Sequence, residues 1–404
     1  MSEQNAAAIR RRNVSALLRL VHQMAPVSRR ELAVESGLSP ATVASIAHEL
    51  VAAGVFSQSS RSQAGAGRPV GDLSLNAQRG SFIGVDMAET YVCVDIFDGA
   101  MDRVHTASVP FSDRDRTPVE AADAVAEMVT TALVATDTAA DSVLGLGITV
   151  PGQVEPASGL SVFAPNWNWH DVDFGRLIRQ RLKLPVYFDN PLKAVLMGQL
   201  WAAPLPPHGD VVVVDLGTGV GAGVAIGGQL YRGVTNAAGE WGHTSLVPDG
   251  RRCRCGALGC VETYIGGPGI LATLREFAPD SPLLRDDQTS AVTSLARAEL
   301  DGDAIARQVA DATGRYLGLA LANLINMVNP ELVALAGWVA DAWGERLLSL
   351  ARPLIERQAL TQSLAAASIG LCTVEGNPAS FGIAAITLEE AASEGLRHSA
   401  RQTR

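Results

Sequence analysis

One pattern occurs twice in this chain, and the repetition constrains the fold more than any other feature. It is found in residues 81–98 (SFIGVDMAETYVCVDIFD) and again, 130 positions later, in residues 211–228 (VVVVDLGTGVGAGVAIGG). Each copy predicts a strand, a turn that begins at an aspartate, and a second strand. Because strands and helices alternate around both copies, we expect a duplicated α/β architecture. Two such lobes leave a cleft in which a small ligand binds.

The second copy contains a glycine-rich turn, DLGTGVGAG, at residues 215–223. Its glycines allow backbone N–H groups to approach an anion closely, as in a phosphate-binding loop. The residues concerned are Gly217, Thr218, Gly219 and Gly221. On this motif alone, a glycine-rich turn between buried strands is an equal alternative.

Three of the five cysteines lie close together behind a histidine, in the spacing H-x9-C-x-C-x4-C. Gly256 and Gly259 permit a short loop in which the thiolates and the imidazole meet at tetrahedral distances. This predicts a closed, structural zinc site, and the alternative is a reduced surface loop with incidental cysteines. Cys93 and Cys372 stand in apolar runs and are predicted to be core residues. The four candidate zinc ligands are His243, Cys253, Cys255 and Cys260.

Charge is distributed unevenly along the chain. The first 71 residues contain eight arginines and four acidic residues, a net charge of +4, whereas the whole chain carries −10. A basic segment joined to an acidic body is typical of an anion-binding module, and nucleic acid is the usual anion. The alternative is a basic surface that is simply solvated.

The local pattern of this basic segment predicts a helix-turn-helix. Ser28 is expected to cap a short second helix, Gly37 to form the turn, and Ser39 to cap a third helix that starts at Pro40. Strand-like residues follow Gly54 and flank a basic loop, which predicts a wing. A three-helix unit of this size also serves in protein binding or dimerisation. The candidate DNA contacts are Ser39, Ala41, Thr42 and Ser45 on the third helix and Arg61 and Arg68 in the wing.

We expect no membrane partner. The N-terminus has no basic-then-apolar signal, and polar residues and glycines interrupt the two most apolar regions, near 211–227 and 317–340. The sequence therefore predicts a cytoplasmic protein.

Residues 238–267 (AGEWGHTSLVPDGRRCRCGALGCVETYIGG) resemble the signature of the ROK family of sugar kinases and transcriptional repressors. The segments TVPGQV (149–154), APNWNWHDVDFGRLI (164–178) and INMVNPELVALAG (325–337) follow the family's order. The N-terminal winged helix resembles the repressor branch, which regulates N-acetylglucosamine and xylose genes. The resemblance implies an actin-like, ribonuclease-H-type ATPase fold in two lobes, a zinc that shapes the sugar pocket, and a homodimer or dimer of dimers.

This resemblance also implies domain bounds and a sugar site. Residues 1–77 are expected to form the DNA-binding domain, 78–200 the first lobe with the C-terminal helix 381–396, and 201–380 the second lobe with the zinc loop. The implied sugar ligands are asparagine, glutamate and histidine side chains, and the amides and carboxylates among them distinguish sugar epimers by their hydrogen bonds to hydroxyl groups. The alternative is a turn residue for Asn166 and solvated surface for the two glutamates. The sugar ligands carried over are Asn166, Asn190, Glu240, His243 and Glu262.

Several positions depart from the kinase pattern. Ala88 and Glu89 replace the paired glycines of the first phosphate loop, and Trp338 replaces a glycine near the adenosine site. Pro191 stands where the kinases carry their catalytic aspartate, and Lys193 replaces an asparagine. Proline cannot accept the proton of an attacking hydroxyl. We therefore expect no kinase activity and no ATP cofactor.

The sequence thus predicts a sugar-responsive transcriptional regulator, most often a repressor in this branch, that a monosaccharide releases from an inverted-repeat operator. Ligand binding is expected to close the lobes and to change the separation of the two winged helices in a dimer. The alternative is an ATP-dependent sugar kinase with an appended DNA-binding domain.

Overall fold

The computed structural model describes residues 3–59, 71–111, 117–203, 209–285 and 287–402. The chain divides into two compact units, residues 1–208 with 374–404 and residues 209–373. In the part of the chain that the structure describes, no helix is long and apolar enough to cross a membrane.

The first unit begins with three helices and a two-stranded antiparallel sheet. Ser28 Oγ accepts a hydrogen bond from Glu31 N, and the Glu31 carboxylate accepts one from Ser28 N, so the two residues form a capping box at the start of the second helix. Gly37 ends the second helix with φ of 65°, and Ser39 caps the third. These contacts confirm the predicted helix starts and the turn. The elements are α1 (Glu3–Met24), α2 (Arg29–Ser36), α3 (Pro40–Ala52), β1 (Phe56–Ser59) and β2 (Asp72–Leu75).

Helix α3 has one buried and one exposed face. Val43, Ile46 and Leu50 are buried, and the helix packs against α2 and β1. The predicted DNA contacts lie on the other face: Ser39, Ala41 and Ser45 are exposed and Thr42 is half-buried. Arg61 and Arg68 lie outside the residues that the structure describes, and β1 and β2 flank that segment.

The first unit then continues with a five-stranded sheet, a small three-stranded sheet and three helices. The five-stranded sheet has the order β10-β6-β3-β4-β5, in which β3 pairs with β6 in parallel and with β4 in antiparallel fashion. In chain order the elements are β3 (Ser81–Met87), β4 (Tyr91–Asp98), β5 (Arg103–Pro110), α4 (Pro118–Ala135), β6 (Val143–Thr149), β7 (Gln153–Glu155), β8 (Leu160–Ala164), β9 (Trp169–Asp173), α5 (Phe174–Arg181), β10 (Val186–Asp189) and α6 (Pro191–Ala202).

The second unit repeats this sheet order. Its strands are arranged β13-β12-β11-β14-β15, which corresponds to the first sheet written from β5 to β10. In both sheets an antiparallel hairpin is followed by two parallel strands. The identical order confirms the predicted duplication. The elements are β11 (Val211–Leu216), β12 (Val220–Ile226), β13 (Gln229–Leu230), α7 (Glu262–Ile265), α8 (Gly267–Phe277), α9 (Gln288–Leu300), α10 (Ala304–Val328), β14 (Leu332–Ala336), α11 (Trp338–Gln358), α12 (Thr361–Ala366) and β15 (Ser368–Leu371).

The last helix, α13 (Pro378–Gln402), returns to the first unit and packs on β3, β6 and α6. Two glycines of the sheet allow this approach. A Cβ atom on Gly84 would overlap the carbonyl oxygen of Ser380, and one on Gly147 would overlap the hydroxyl of Thr387. The helix therefore lies directly on the backbone of the sheet.

The two isolated cysteines differ in burial. Cys93, on β4, is buried as predicted. The prediction for Cys372 was wrong, because it follows the edge strand β15 and is only half-buried.

Candidate functional site

The four predicted metal ligands lie together in the second unit. Their ligand atoms are all within 4.8 Å of one another. The Sγ atoms of Cys255 and Cys260 are 3.8 Å apart, and Cys253 Sγ is 3.6 Å from His243 Nδ1. Tetrahedral zinc, with bonds of about 2.3 Å to sulfur and 2.0 Å to nitrogen, requires separations of about 3.8 and 3.5 Å. The cluster can therefore hold a metal ion, and its ligand set and spacing are compatible with zinc.

Backbone geometry closes the loop that carries the cysteines. Gly256 and Gly259 have φ of 97° and 69°, in the left-handed region that favours glycine. A Cβ on Gly259 would overlap the carbonyl oxygen of Val247, whose N–H donates to Gly259 O over 3.2 Å. The loop therefore needs glycine at these two positions, as predicted, because its backbone is left-handed there.

Arg251 anchors the loop to the neighbouring helices, a role that sequence reasoning missed. Its Nη1 donates to Thr263 O over 2.8 Å and to Gly269 O over 2.9 Å, and its guanidinium lies 4.7 Å from the Tyr264 ring centroid. It also pairs with Glu276 at 2.8 Å. The sequence shows only an arginine between two turn segments. It does not indicate the partners of this arginine, because they lie 12 to 25 positions away along the chain.

Burial raises the pKa of the Cys253 and Cys260 thiols above the ordinary value. Metal ions bind the thiolate form, so metal binding at this cluster releases protons. A bound cation offsets the cost of placing these negative charges in a largely buried loop.

Two of the predicted sugar ligands adjoin the cluster. Glu240 Oε2 lies 4.0 Å from Nε2 of His243, whereas the other ring nitrogen, Nδ1, faces Cys253. Glu262 begins α7, where its Oε2 accepts a hydrogen bond from Val220 N at 3.1 Å and its Oε1 lies 3.6 Å from Cys253 Sγ. Both glutamates are half-buried, so neither is a freely solvated surface residue.

The glycine-rich loop of the second unit is covered by side chains. Residues 217–219 form the turn between β11 and β12, and Gly217 N donates to Gly219 O at 3.0 Å. Gln288 Nε2 donates to Thr218 Oγ1 at 2.6 Å. The indole of Trp338 lies against Gly217 and Gly267, where a Cβ on Gly217 would be 3.2 Å from Trp338 Nε1.

Gly221 does not belong to that turn. It lies inside β12 and pairs with Asp215 of β11, so its backbone is part of the ladder. The turn between the two strands is three residues long, so Gly221 lies beside it, and its assignment to the phosphate-like loop stays a prediction.

Asn166 lies in the first unit, in the turn at residues 165–168 between β8 and β9. Asn166 is therefore a turn residue, which was the alternative to a sugar ligand, and its side chain is hydrogen-bonded to Glu89. Its Nδ2 donates to Glu89 Oε1 at 3.1 Å. The next residue, Trp167, is buried and stacks on Phe111 with 5.2 Å between ring centroids.

Asn190 caps the N-terminus of α6. Its Oδ1 accepts from Leu192 N at 2.9 Å, and its Nδ2 donates to Gly152 O at 2.6 Å. Pro191 occupies the first helical position, which suits its fixed φ and missing N–H. Asp189, at the end of β10, is completely buried, and its Oδ1 accepts a hydrogen bond from Asn190 N. Lys193 is buried within α6.

Asp86 is the centre of a buried hydrogen-bond network, which the sequence analysis did not predict. Its carboxylate accepts hydrogen bonds of 2.9 Å from Tyr91, Thr149 and Asn377. Burial raises the pKa of Asp86, and these three donors lower it. Asn377 precedes α13, so this network ties the last helix to β3 and β4.

Comparison with known proteins gives the family. The ROK family model matches residues 82–389. The chain is 27% identical over 362 residues to the xylose repressor of Caldicellulosiruptor bescii, covering 88% of this chain and 90% of that protein.

Solved structures also resemble the chain, among them a regulator and a glucokinase. A crystal structure of a ROK family transcriptional regulator, described as a homolog of the E. coli MLC protein, matches with a TM-score of 0.76 at 24% identity and covers 97% of this chain and 98% of that one. A ROK family glucokinase from Streptomyces griseus, in complex with glucose and AMPPNP, matches with a TM-score of 0.62 at 27% identity, covering 76% and 98%. The fold is thus the predicted actin-like fold, preceded by helices that lie before the first residue matched by the family model. With more than half of its length matched by the family model, the chain belongs to the ROK family.

Proposed function

We propose that this protein is a sugar-responsive, DNA-binding transcriptional regulator that acts as a repressor and leaves its operator when a monosaccharide binds. The repressor name of its relative and the exposed N-terminal face of α3 support this reading. In this proposal residues 1–77 bind DNA, 78–200 with 381–396 form one lobe, and 201–380 form the other. A homodimer of such chains reads an inverted repeat.

The observation that carries the proposal is that the helix capped by a candidate sugar ligand is hydrogen-bonded at its far end to α1. Helix α6 starts at its cap Asn190 and ends at Ala202. At that far end, Gln23 of α1 donates through Nε2 to the carbonyl oxygens of Leu200, Trp201 and Ala203 over 2.9, 3.2 and 2.8 Å. A shift of Asn190 on sugar binding is thereby transmitted along a rigid helix to α1.

Further contacts fix α1 on this support. His22 lies 5.2 Å from Trp201 between ring centroids, and Trp201 Nε1 donates to Glu389 of α13 at 2.9 Å. Arg19 approaches the same carboxylate at 3.9 Å. Arg10 of α1 forms an ion pair with Glu49 of α3, and both helices pack against α2. Packing supplies most of this coupling, because exposed ion pairs contribute little.

Zinc and sugar have separate roles in this proposal. One zinc per chain, held by the His243 cluster, supplies a cross-link that fixes the loop from Glu240 to Glu262. The proposed sugar ligands are these two glutamates and His243 in the second unit and Asn166 and Asn190 in the first. Carboxylates and amides of this kind accept and donate to sugar hydroxyls with high directional selectivity.

Four other residues argue against the kinase alternative. Pro191 offers no group that removes a proton from a sugar hydroxyl. Glu89 adds negative charge where a kinase binds phosphate, and Trp338 and Gln288 cover the second glycine-rich loop. We propose a sugar sensor built on a kinase scaffold.

The test of this function is binding of DNA and sugar by the same protein. Selection from a random duplex pool is expected to recover an inverted repeat. Fluorescence anisotropy with that repeat then measures affinity with and without D-xylose, D-glucose or N-acetyl-D-glucosamine. One of these sugars is expected to weaken DNA binding at least about tenfold, in line with typical coupling free energies. Sequence-independent DNA binding that no sugar alters would contradict the proposal.

Replacing Gln23 with methionine is expected to weaken the sugar response. Methionine keeps the length of the side chain but removes the donor that bonds the end of α6. We expect operator affinity without sugar to change by no more than about threefold, while the sugar-induced loss of affinity falls by about half or more on a logarithmic scale. The control is Gln78→Ala, an exposed glutamine outside α1. A full sugar response in the methionine variant would exclude this route.

Substitutions in the DNA-binding segment are expected to separate affinity from sequence preference. Arg68→Ala removes one phosphate contact, so it weakens binding to all duplexes and lowers the salt dependence by about one unit. Thr42→Ala alters the face that meets the bases and changes the preference among operators. Anisotropy at several salt concentrations, with specific and random duplexes, measures both. Unchanged affinity of Arg68→Ala at moderate salt would remove Arg68 from the interface.

A further inference from the structure

The side chain of Arg251 uses its whole hydrogen-bonding capacity next to the metal cluster. A guanidinium carries five N–H groups, and this one donates five hydrogen bonds. Nε and Nη2 bind the two carboxylate oxygens of Glu276 at 2.9 and 2.8 Å, and Nη2 also reaches Thr273 Oγ1 at 2.9 Å. Nη1 bonds the carbonyl oxygens of Thr263 and Gly269. Only arginine offers this planar fork of donors.

These contacts close the cysteine loop, residues 251–263, from both ends. Arg251 stands two positions before Cys253, and Thr263 stands three positions after Cys260. Arg251 O accepts a hydrogen bond from Gly259 N at 2.8 Å, and its Nη1 donates to Thr263 O at 2.8 Å. Thr263 Oγ1 in turn donates to Cys260 O at 2.7 Å. The backbone on both sides of the three cysteines is therefore fixed through one arginine.

This closure is chemically separate from the metal ligands. Its bonds are made by backbone atoms and by the side chains of Arg251 and Thr263, and none of them uses a thiolate or the His243 imidazole. The loop thus contains a cross-link of its own, formed by hydrogen bonds, in addition to the one that a bound metal supplies. Ligands that are already in position lose less conformational freedom on binding, so such a cross-link raises metal affinity.

We propose that Arg251 is a positioning residue of the metal centre: it holds the cysteine loop in the geometry that the metal requires and thereby sets the metal affinity. The inference rests on the zinc site of the proposed function and adds to it a residue that is not itself a ligand. Thr263 directly follows Glu262, so the same contact also holds the carboxylate that we propose as a sugar ligand.

Metal affinity distinguishes this role from a general contribution to the fold. The side chain of Arg251 is only 17% exposed and its guanidinium lies over the Tyr264 ring, so its removal also lowers the free energy of unfolding. A residue that stabilises the metal-free and metal-bound proteins equally changes the melting temperature of both, but it leaves the affinity of the folded protein for metal unchanged. A positioning residue lowers that affinity when it is replaced.

The experiment measures the Zn²⁺ affinity of the full chain by competition with a chromophoric chelator, well below the melting temperature. We expect Arg251→Met, which makes none of the five hydrogen bonds, to bind Zn²⁺ at least about tenfold more weakly, as replacement of groups behind metal ligands typically does. Arg251→Lys keeps the charge but not the fork, so we expect an intermediate affinity. The matched control is Arg252→Met, an exposed neighbour with the same change in net charge, which is expected to stay within about threefold of the wild type.

Two further measurements guard against a folding defect. Glu276→Gln removes the charge from the carboxylate that Arg251 binds, at a side chain that is 58% exposed, and we expect it to weaken Zn²⁺ binding by about threefold or more. Co²⁺ bound in place of Zn²⁺ reports ligand geometry through its visible absorption. We expect altered bands in Arg251→Met and wild-type bands in Arg252→Met.

The outcomes separate this inference from the proposed function, because no sugar or DNA is present in these measurements. A folded Arg251→Met that binds Zn²⁺ within about threefold of the wild type overturns the inference, and so does an equal loss in Arg252→Met. If Arg251→Met does not fold, unchanged affinity in both Arg251→Lys and Glu276→Gln overturns it. A wild type that binds no Zn²⁺ removes the metal site and the inference together. Failure to bind sugar or DNA, with the expected order of Zn²⁺ affinities, contradicts the proposed function alone.

Discussion

Replacing Cys255 with serine is expected to release the metal and to abolish the sugar response. Serine keeps the size of the side chain but is a poor zinc ligand, and a closed site depends on all four ligands. We expect the zinc content to fall from about one per chain to near zero and the melting temperature to fall by at least about 5 °C. The loop between Glu240 and Glu262 loses its cross-link, so stabilisation by sugar is lost with the metal.

Metal analysis and thermal unfolding with increasing sugar measure these effects. The matched control is Cys372→Ser, a half-buried cysteine outside the cluster, which is expected to keep its zinc and its response. Sugar-dependent stabilisation that persists unchanged in metal-free Cys255→Ser would separate the metal from the sugar site.

The second large effect concerns phosphoryl transfer. We expect no ADP release by the wild type above background in the presence of ATP and sugar, whereas sugar kinases typically turn over about 1–100 times per second. Loss of the general base alone costs about a hundredfold to ten-thousandfold. Glu89, Trp338 and Gln288 add to this loss, because they occupy the surroundings of both loops.

Pro191→Asp tests whether the base alone is missing. An aspartate at the first position of α6 is compatible with the helix and its dipole, so this variant is expected to fold. We expect it to remain inactive, because Glu89, Trp338 and Gln288 still occupy the surroundings of the two loops. Sustained wild-type turnover that disappears on Glu240→Ala would restore the kinase alternative.

Features that depend on neighbouring residues were determined by the sequence. Ser28, Gly37 and Ser39 set the helix-turn-helix because a cap and its N–H partner are three residues apart. The metal cluster is equally local, since its ligands fall within 18 positions and its glycines close the loop. Asn190 and Pro191 mark the start of α6 for the same reason. The repeated strand pattern also predicted the duplicated sheets.

Contacts between distant segments were decided by the tertiary structure. Gln23 reaches the end of α6 from 177 to 180 positions away, and nothing in its own helix indicates this partner. Glu89 was recognised as a break in a phosphate loop, but its bond to Asn166 arises only when the β3–β4 turn and the 165–168 turn pack on the same aromatic cluster. Periodicity reports which face of an element is buried, whereas packing of whole elements chooses which distant side chains meet.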